Sequence, residues 1–411
     1  MINILKNKEL IVILLVSFLV RIIAAYFYGE GALINEWGTL IHNFEQSGTM
    51  GIFVQINEFS AIDKLAKPGE RVLPSAFMPP LYFYFIYIIK IFSHNFLNFI
   101  NVIIFFQIIL SIASIILFFK IINLLGNNKY LNLLIISIFS FFPLYIYSVV
   151  QISSISLQMF LFLGFIYFLF VFNKKKNTYS LIFFSIFSGL LILTRGEFYL
   201  FYILAIIYFF LFLEKNIKSL VISMIISLII ISPYLYRNYT TFNSFTMTKS
   251  LGFNLLKGNN PTFKVEGNSD FIIENFNSSK INIKTENNYE ILLDNYYKKK
   301  AITFIKEDPL NYLRFYFKKV FSYTFIDLNS SYDNYYNIIH ILPKVLISTL
   351  GLVSAVFCLR KKGFYQFMSF YYFANILLFS VFFILPRYSV ILLPINLLLI
   401  METIYFLRRK L

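Results

Sequence analysis

Apolar residues recur along the whole chain in long runs, separated by short polar connections. A run of about 18 or more apolar residues is long enough to cross a hydrocarbon core of about 30 Å. The pattern predicts an all-α, polytopic membrane protein with about ten membrane-crossing helices. The predicted spans are roughly 10–28, 99–122, 130–148, 153–172, 179–194, 198–213, 217–236, 341–359, 366–385 and 389–407.

Composition supports this fold class. The 411 residues are 58% hydrophobic and 14% charged, with a mean hydropathy of +0.71. A soluble domain carries roughly a quarter charged residues. The net charge of +16 does not indicate nucleic-acid binding, because most Lys and Arg lie in short loops beside apolar runs. In that position they report membrane topology. The single cysteine, Cys358, excludes a disulfide within the chain.

The distribution of Lys and Arg predicts the orientation in the membrane. With Arg408, Arg409 and Lys410 in the cytoplasm, the other basic loops also fall inside only if the apolar stretch 79–93 does not cross. That stretch has about 15 residues, which is short for a span. We therefore predict a juxtamembrane helix at 79–93 on the outer face. Both termini are then cytoplasmic, and the protein is a multi-pass component of the cytoplasmic (inner) membrane of the cell.

The same alternation of inside and outside loops, followed from one span to the next, places two long polar stretches on the outer face. The second becomes helical in pattern from about residue 289 to 325, with a break predicted at Asp308–Pro309. The predicted organisation is a transmembrane module at 1–236 with a first outer loop at 29–98, an extracytoplasmic loop with amphipathic helices at 237–340, and C-terminal transmembrane helices at 341–411.

Charged residues next to the apolar runs are candidates for chemistry, because placing charge in a membrane is costly. The predicted topology brings several of them to the outer interface: Arg21, Glu36, Arg195, Glu197, Arg237 and Arg387. Guanidinium groups bind phosphate through paired hydrogen bonds, and a carboxylate can act as a general base. A lipid-linked phosphosugar that reacts at the membrane surface needs both groups. The alternative is that these charges serve topology alone.

Short motifs accompany these charges in chain order. They are Glu36–Phe44 with Gly48, Pro74–Tyr82, Thr194–Glu197, Ser232–Tyr239 followed by Gly258–Pro261, and Pro386–Tyr388. Together they resemble the motifs of bacterial GT-C membrane glycosyltransferases, the group that includes the protein O-mannosyltransferases and the lipid A aminoarabinose transferase (glycosyltransferase family 39 type). Many relatives carry an Asp or an Asp-Glu pair in the first outer loop, whereas Asn35 precedes Glu36 here. The lone carboxylate puts paired-acid and metal-dependent schemes in doubt.

The resemblance implies an inverting transfer of a sugar from a polyprenyl phosphate, such as undecaprenyl phosphate, to a glycan, lipid or protein acceptor at the extracytoplasmic face. Glu36 is then the catalytic base, and Arg195, Arg237 or Arg387 binds the donor phosphate. Further residues are expected to line the site: Arg21, Trp37, Pro79, Pro80, Tyr82, Glu197, Asn238 and Tyr388. No cofactor is expected. The scattered histidines have no ligand-like spacing, so a divalent metal is not supported.

Two other functions fit a protein of this class. A flippase or transporter of a lipid-linked glycan would place its cations at several depths along a central cavity. A surface-polysaccharide polymerase or ligase would have its catalytic residues in the 237–340 loop instead of at Glu36. The gathering of charges at one membrane face favours the glycosyltransferase.

Overall fold

The computed structural model describes residues 7–33, 35–56, 59–62, 64–93, 98–126, 128–208, 217–276, 281, 283, 286–332, 334–335 and 337–410. The α-helices in these ranges are α1 (Lys8–Tyr28), α2 (Glu36–Ser47), α3 (Pro80–Ser93), α4 (Phe99–Leu125), α5 (Lys129–Ser140), α6 (Pro143–Val150), α7 (Ile155–Lys175), α8 (Thr178–Thr194), α9 (Phe198–Ala205), α10 (Ile217–Phe242), α11 (Leu251–Gly258), α12 (Ser269–Asn275), α13 (Tyr289–Glu307), α14 (Pro309–Thr324), α15 (Ile338–Cys358), α16 (Phe364–Phe379) and α17 (Leu393–Lys410). A 3₁₀ helix, Pro386–Leu392, leads into α17.

Asparagine begins many of these helices. The side-chain oxygen of an Asn at the N-cap accepts a hydrogen bond from a backbone N–H that the first helical turn would leave unpaired. The capping residues are Asn7, Asn35, Asn98, Asn128, Asn177, Asn268 and Asn337. The abundance of Asn between the apolar runs therefore has a local structural reason.

Six helices in the described ranges are long and apolar enough to cross a membrane: α1, α4, α7, α10, α15 and the segment Pro386–Arg408. Helices α5 and α6 form a further span if they are counted together, with a bend of 44° between them. They correspond to the predicted span at 130–148. The predicted spans at 179–194, 198–213 and 366–385 correspond to the shorter helices α8, α9 and α16, and residues 209–213 lie outside the described ranges. The protein is thus a multi-pass, helical membrane protein, as predicted.

Helix α7 lies at the centre of the bundle. It packs against α4 and α8, and 78% of its apolar window is buried, compared with 17% for α1. A helix that is apolar all round suits the interior of a bundle. Helices α1 and α10 lie at the periphery and expose large apolar side chains, as expected for surfaces that face lipid.

Helix α3 corresponds to the apolar stretch 79–93, which the distribution of Lys and Arg predicts not to cross the membrane. It has 14 residues, which gives a length of about 21 Å, well short of a hydrocarbon core of about 30 Å. The buried Pro79 and Pro80 mark its start, where proline is favoured because no intrahelical N–H is required. The helix packs against α2, α4 and α8. Its length agrees with the predicted juxtamembrane position.

The first long connection, 29–98, contains a small sheet that the hydrophobic pattern did not predict. Its strands are β1 (Phe53–Ile56), β2 (Phe59–Ile62) and β3 (Val72–Leu73). They pair antiparallel in the order β2-β1-β3. Strands this short lack a sustained alternation of apolar and polar residues, so the sequence carries little signal for them.

The second long connection, 237–340, contains α11 to α14. The predicted break at Asp308–Pro309 is confirmed, because Asp308 caps α14 and Pro309 occupies its first turn. Proline has no N–H to donate to α13, and it is well tolerated at the start of the following helix. Helix α11 packs against α13.

Arg21, which the sequence places in the outer half of the first helix, lies inside the helix bundle. Its side chain is fully buried. It donates to Ser111 Oγ at 2.7 Å, to the Ser17 carbonyl at 3.1 Å and to the Ser140 carbonyl at 3.0 Å. Its guanidinium also lies over the ring of Tyr145. Arg21 therefore connects α1 to α4 and to the end of α5, and its described partners are groups within the bundle.

Candidate active site

Glu36 is the first residue of α2, where the partial positive charge of a helix N-terminus favours a carboxylate. Asn35 fixes this end of the helix. Its side-chain oxygen accepts the N–H of Trp37 at 3.2 Å, and its side-chain nitrogen donates to the Ile152 carbonyl at 3.2 Å. An Asp could make the first bond but has no N–H for the second. Among the described residues, no hydrogen bond or ion pair engages the Glu36 carboxylate, which leaves it available to a substrate.

An aromatic contact fixes α2 against α3. The buried Trp37 packs edge to face on Tyr82 with ring centroids 4.9 Å apart. The Tyr82 hydroxyl donates to Gln107 of α4 at 2.6 Å, and Gln107 in turn donates to the carbonyls of Val149 and Gln151. The predicted lining residues Trp37 and Tyr82 therefore hold the start of α2, and with it Glu36, against α3 and α4.

Arg387 and Tyr388 lie in the 3₁₀ helix and are half-buried. Arg387 and Glu36 both act electrostatically on the same three groups, Lys257, Tyr332 and Tyr388. The folded chain thus brings residues that are far apart in sequence to one site. A carboxylate and a guanidinium that share the same neighbours can accept a proton and bind an anion in the same reaction.

Arg195 joins this site through Tyr388. It forms an ion pair with Glu197 at 2.7 Å, and its guanidinium lies 4.8 Å from the centroid of the Tyr388 ring. Burial lowers the pKa of Arg195, but the opposing effect of Glu197 and nearby phenols is larger, so its pKa is raised. Arg195 is therefore cationic and already paired with a carboxylate.

Beside Arg195 lies a cavity of about 510 Å³. Arg195, Glu197 and Tyr388 are among the residues that line it. Most other walls are apolar, and they include Leu200, Phe245, Met247, Leu251, Leu378, Phe379, Phe382 and Phe383. Such a cavity suits an apolar chain that carries an anionic head.

Arg237 lies apart from this site. Its Nη1 donates to the Ser75 carbonyl at 2.9 Å and to Asn238 Oδ1 at 2.8 Å, and its Nη2 donates to the Met50 carbonyl at 3.4 Å. Asn238 is buried and donates to the Thr246 carbonyl. Arg237 also lines a second cavity, of about 770 Å³, with Pro80 and residues of α8 and α10. The residues predicted to share one face thus divide into two groups.

Glu30 is a site residue that the sequence analysis missed. Its Oε2 accepts the N–H of Ile152 at 3.1 Å. Burial raises the pKa of Glu30, while the Ile152 N–H and the charge of Arg387 lower it. The site thus holds a second carboxylate besides Glu36. The only signal in the sequence is its position two residues after α1, in Gly29–Glu30–Gly31, which does not fit a nucleotide loop.

Lys257 is a second candidate site residue that the sequence did not predict. It lies in the last turn of α11, directly before the Gly258–Pro261 motif, with its ammonium 4.5 Å from the centroid of the Phe383 ring. Burial lowers the pKa of Lys257, Glu36 raises it and Arg387 lowers it. Lys257 is therefore a cation in the field of both candidate catalytic groups.

The Gly258–Pro261 motif acts as a structural junction behind Lys257. The fully buried Lys319 of α14 donates to the Gly258 carbonyl at 3.1 Å, to Asn259 Oδ1 at 2.9 Å and to the Val381 carbonyl at 3.2 Å. Burial lowers the pKa of Lys319 to about 7. These bonds connect α14, the end of α11 and the segment that leads to Arg387.

Helix α13 holds this arrangement through two buried carboxyl groups. Glu290 accepts the hydroxyl of Ser75 and, at 2.8 Å, the N–H of Ala76. Asp294 accepts the N–H groups of Gly252 at 2.7 Å and Phe253 at 3.1 Å, in the first turn of α11. The second long connection is thereby attached to the segment that precedes α3.

Replacing Glu290 tests this attachment through the pH dependence of stability. Burial raises the pKa of Glu290 to about 8. The folded protein then keeps a proton that the unfolded chain loses above about pH 4.5, so stability falls by on the order of 1 kcal/mol per pH unit up to about pH 8. In Glu290→Gln the amide oxygen can accept the Ala76 N–H and the amide nitrogen can donate to Ser75 Oγ, without the charge. We expect a higher Tm than wild type near pH 8 and little difference near pH 4.5.

The measurement is thermal unfolding in detergent across this pH range. Glu307→Gln, at the exposed end of α13, is the matched control and should follow the wild type. Parallel pH profiles for Glu290→Gln and wild type would show that the buried carboxyl does not limit stability.

No metal-binding group of three or more His, Cys, Asp or Glu side chains occurs within the described ranges.

Comparison with known proteins locates the fold. No protein-family model matches the chain, and no curated protein matches its sequence. Among solved structures, the chain is similar to the apo oligosaccharyltransferase of Archaeoglobus fulgidus, with a TM-score of 0.53 and 10% identity over 98% of this chain. It spans about half of that enzyme, 51% of its length. ArnT from Cupriavidus metallidurans, solved with undecaprenyl phosphate, gives a TM-score of 0.40 and 9% identity over 96% of this chain and 77% of ArnT.

The chain therefore shares the fold of the matched part of this oligosaccharyltransferase, which agrees with the fold that the resemblance of the motifs implied. At this level of identity the comparison concerns the fold alone.

Proposed function

We propose that this protein is a membrane glycosyltransferase that moves a sugar from a polyprenyl phosphate to an acceptor at the extracytoplasmic face. The proposal rests on the shared surroundings of Glu36 and Arg387: both act electrostatically on Lys257, Tyr332 and Tyr388, and Lys257 and Tyr388 both contact the ring of Phe383. A carboxylate with no partner among the described residues can act as the base. The cations near it can bind the anion that leaves in the same transfer reaction.

In this mechanism the acceptor O–H gives its proton to the Glu36 carboxylate. The acceptor oxygen bonds to C1 of the sugar from the face opposite the phosphate, and the C1–O bond to the phosphate breaks. Its electron pair leaves with the polyprenyl phosphate. Arg387 and Lys257 stabilise the charge that grows on the leaving phosphate. Inversion at C1 follows from attack opposite the leaving group.

We assign the donor phosphate to Arg387 and Lys257 in preference to Arg195 and Arg237. Arg195 is paired with Glu197, and its role is to hold Tyr388. Arg237 is bonded to the Ser75 and Met50 carbonyls, and it braces the segment before α3. The apolar cavity next to Arg195 and Tyr388 accommodates the first isoprene units of the donor.

The single tryptophan provides a direct binding test. Trp37 is the only Trp in the chain and directly follows Glu36. We expect undecaprenyl phosphate, titrated into protein in nanodiscs, to change Trp37 fluorescence in a saturable manner, with binding confirmed by native mass spectrometry. Undecaprenol, which lacks the phosphate, is the matched ligand control. Equal binding of both lipids would contradict the assignment of a phosphate site, and so would failure of undecaprenyl phosphate to bind.

A further inference from the structure

Buried polar side-chain oxygens lie near Glu30. The side-chain oxygen of Ser153 is buried and lacks a partner at hydrogen-bond distance among the described residues, and the buried hydroxyl of Tyr335 lies beside Arg387. Ser153 directly follows Ile152, whose N–H binds Glu30 Oε2, and Glu30 acts electrostatically on Tyr335. Because buried polar atoms are normally hydrogen-bonded, this group indicates a place for a polar ligand.

Tyrosine rings form one wall of the same region. Tyr147 of α6 packs edge to face on Tyr335 with centroids 4.7 Å apart, and Tyr332 lies 6.3 Å from Tyr335. Tyr28, at the end of α1, lies 6.3 Å from Tyr147. Tyr335 is buried, whereas Tyr332 is 38% exposed and Tyr28 is 65% exposed. The wall therefore leads from the interior of the site to the surface.

Building on the proposed glycosyltransferase function, we propose that Glu30, Ser153, Tyr332 and Tyr335 form the acceptor subsite, and that the acceptor is a saccharide. A saccharide presents hydroxyl groups that a carboxylate accepts and that phenol and serine hydroxyls can pair with. Its C–H faces pack on aromatic rings. A site for a small ligand typically has a small number of convergent polar groups next to an aromatic wall.

Arg387 connects this subsite to the donor. It acts electrostatically on both Glu30 and Tyr335, and it shares the Lys257, Tyr332 and Tyr388 environment with Glu36. A hydroxyl of a saccharide bound along the tyrosines would therefore reach the position between the base and the donor phosphate. Glu30 acts as a binding residue for the acceptor, and Glu36 remains the base.

Saturation-transfer NMR on the full-length protein in nanodiscs tests the subsite without a donor. The probes are the methyl glycosides of glucose, mannose and N-acetylglucosamine, with a serine-containing hexapeptide as the competing acceptor class. We expect at least one glycoside to bind wild type and the hexapeptide to give no signal. Glu30→Gln and Tyr332→Ala should each weaken glycoside binding by about tenfold, the loss expected when one hydrogen-bonding or packing partner is removed.

Glu70→Gln is the control, because Glu70 is paired with Lys64 in the first long connection and lies outside the proposed subsite; it should bind like wild type. Absence of binding by every glycoside, binding of the hexapeptide in their place, or equal glycoside binding by wild type and both variants would each overturn the subsite. Undecaprenyl phosphate binding is measured in parallel. If wild type binds a glycoside but does not bind undecaprenyl phosphate, the donor assignment is refuted and the acceptor subsite stands.

Discussion

Glu36→Gln is expected to reduce sugar transfer by about 100- to 10,000-fold, the range that a general base contributes. Glutamine has nearly the same shape and can accept hydrogen bonds, but it cannot take the acceptor proton. The carboxylate has no described protein partner, so its replacement should change neither the fold nor the binding of undecaprenyl phosphate. The measurement is the loss of a glycan modification in a host that lacks the native gene, at matched expression.

Glu45→Gln is the matched control for this experiment. Glu45 lies on the same helix, α2, but is exposed and paired with Lys90 at 2.7 Å. An exposed ion pair contributes about 0–1 kcal/mol, so this variant should retain activity. A Glu36→Gln protein that is expressed normally and modifies the glycan at the wild-type rate would exclude Glu36 as the base.

Arg387→Gln is expected to lower transfer by about 100- to 1,000-fold, the effect of removing one group that stabilises transition-state charge. It should also weaken the Trp37 response to undecaprenyl phosphate, because a guanidinium holds phosphate through charge-assisted hydrogen bonds. Arg71→Gln is the matched control, since Arg71 is exposed and its bonds are to Gln55 and Asn287.

Arg237→Gln separates the two groups of arginines. We expect it to lower Tm, because it removes the bonds to the Ser75 and Met50 carbonyls, and to leave phosphate binding near the wild-type level. If Arg237→Gln abolishes undecaprenyl phosphate binding while Arg387→Gln retains it, the donor lies in the larger cavity between α3, α8 and α10, and our assignment is wrong.

Much of the fold could be predicted because its signals are local. Apolar runs of sufficient length, Asn caps and Asp308–Pro309 each act within a few residues of the position they specify. The short length of the 79–93 helix follows from the same local pattern together with loop charges. The small sheet in 29–98 was not predictable, because strands this short are specified by their partners and not by periodicity.

The candidate site was predicted only in part. Glu36, Arg195, Glu197, Arg387 and Tyr388 lie together or act on common groups. Glu30 and Lys257 were missed, since an isolated charge in a glycine-flanked or helix-end position carries no distinctive pattern. Their importance arises from contacts with residues that lie far away in the chain.

The sequence by itself determined that this is a polytopic helical membrane protein, and it predicts a common depth in the membrane for its charged motifs. Hydropathy and loop charge specify position along the membrane normal, because the cost of burying charge depends on depth. Only the tertiary structure decided which of those charges meet. Position within the membrane plane depends on how helices pack. That packing gives Glu36 and Arg387 the same neighbours, Lys257, Tyr332 and Tyr388, buries Arg21 in the bundle and binds Arg237 to the Ser75 and Met50 carbonyls.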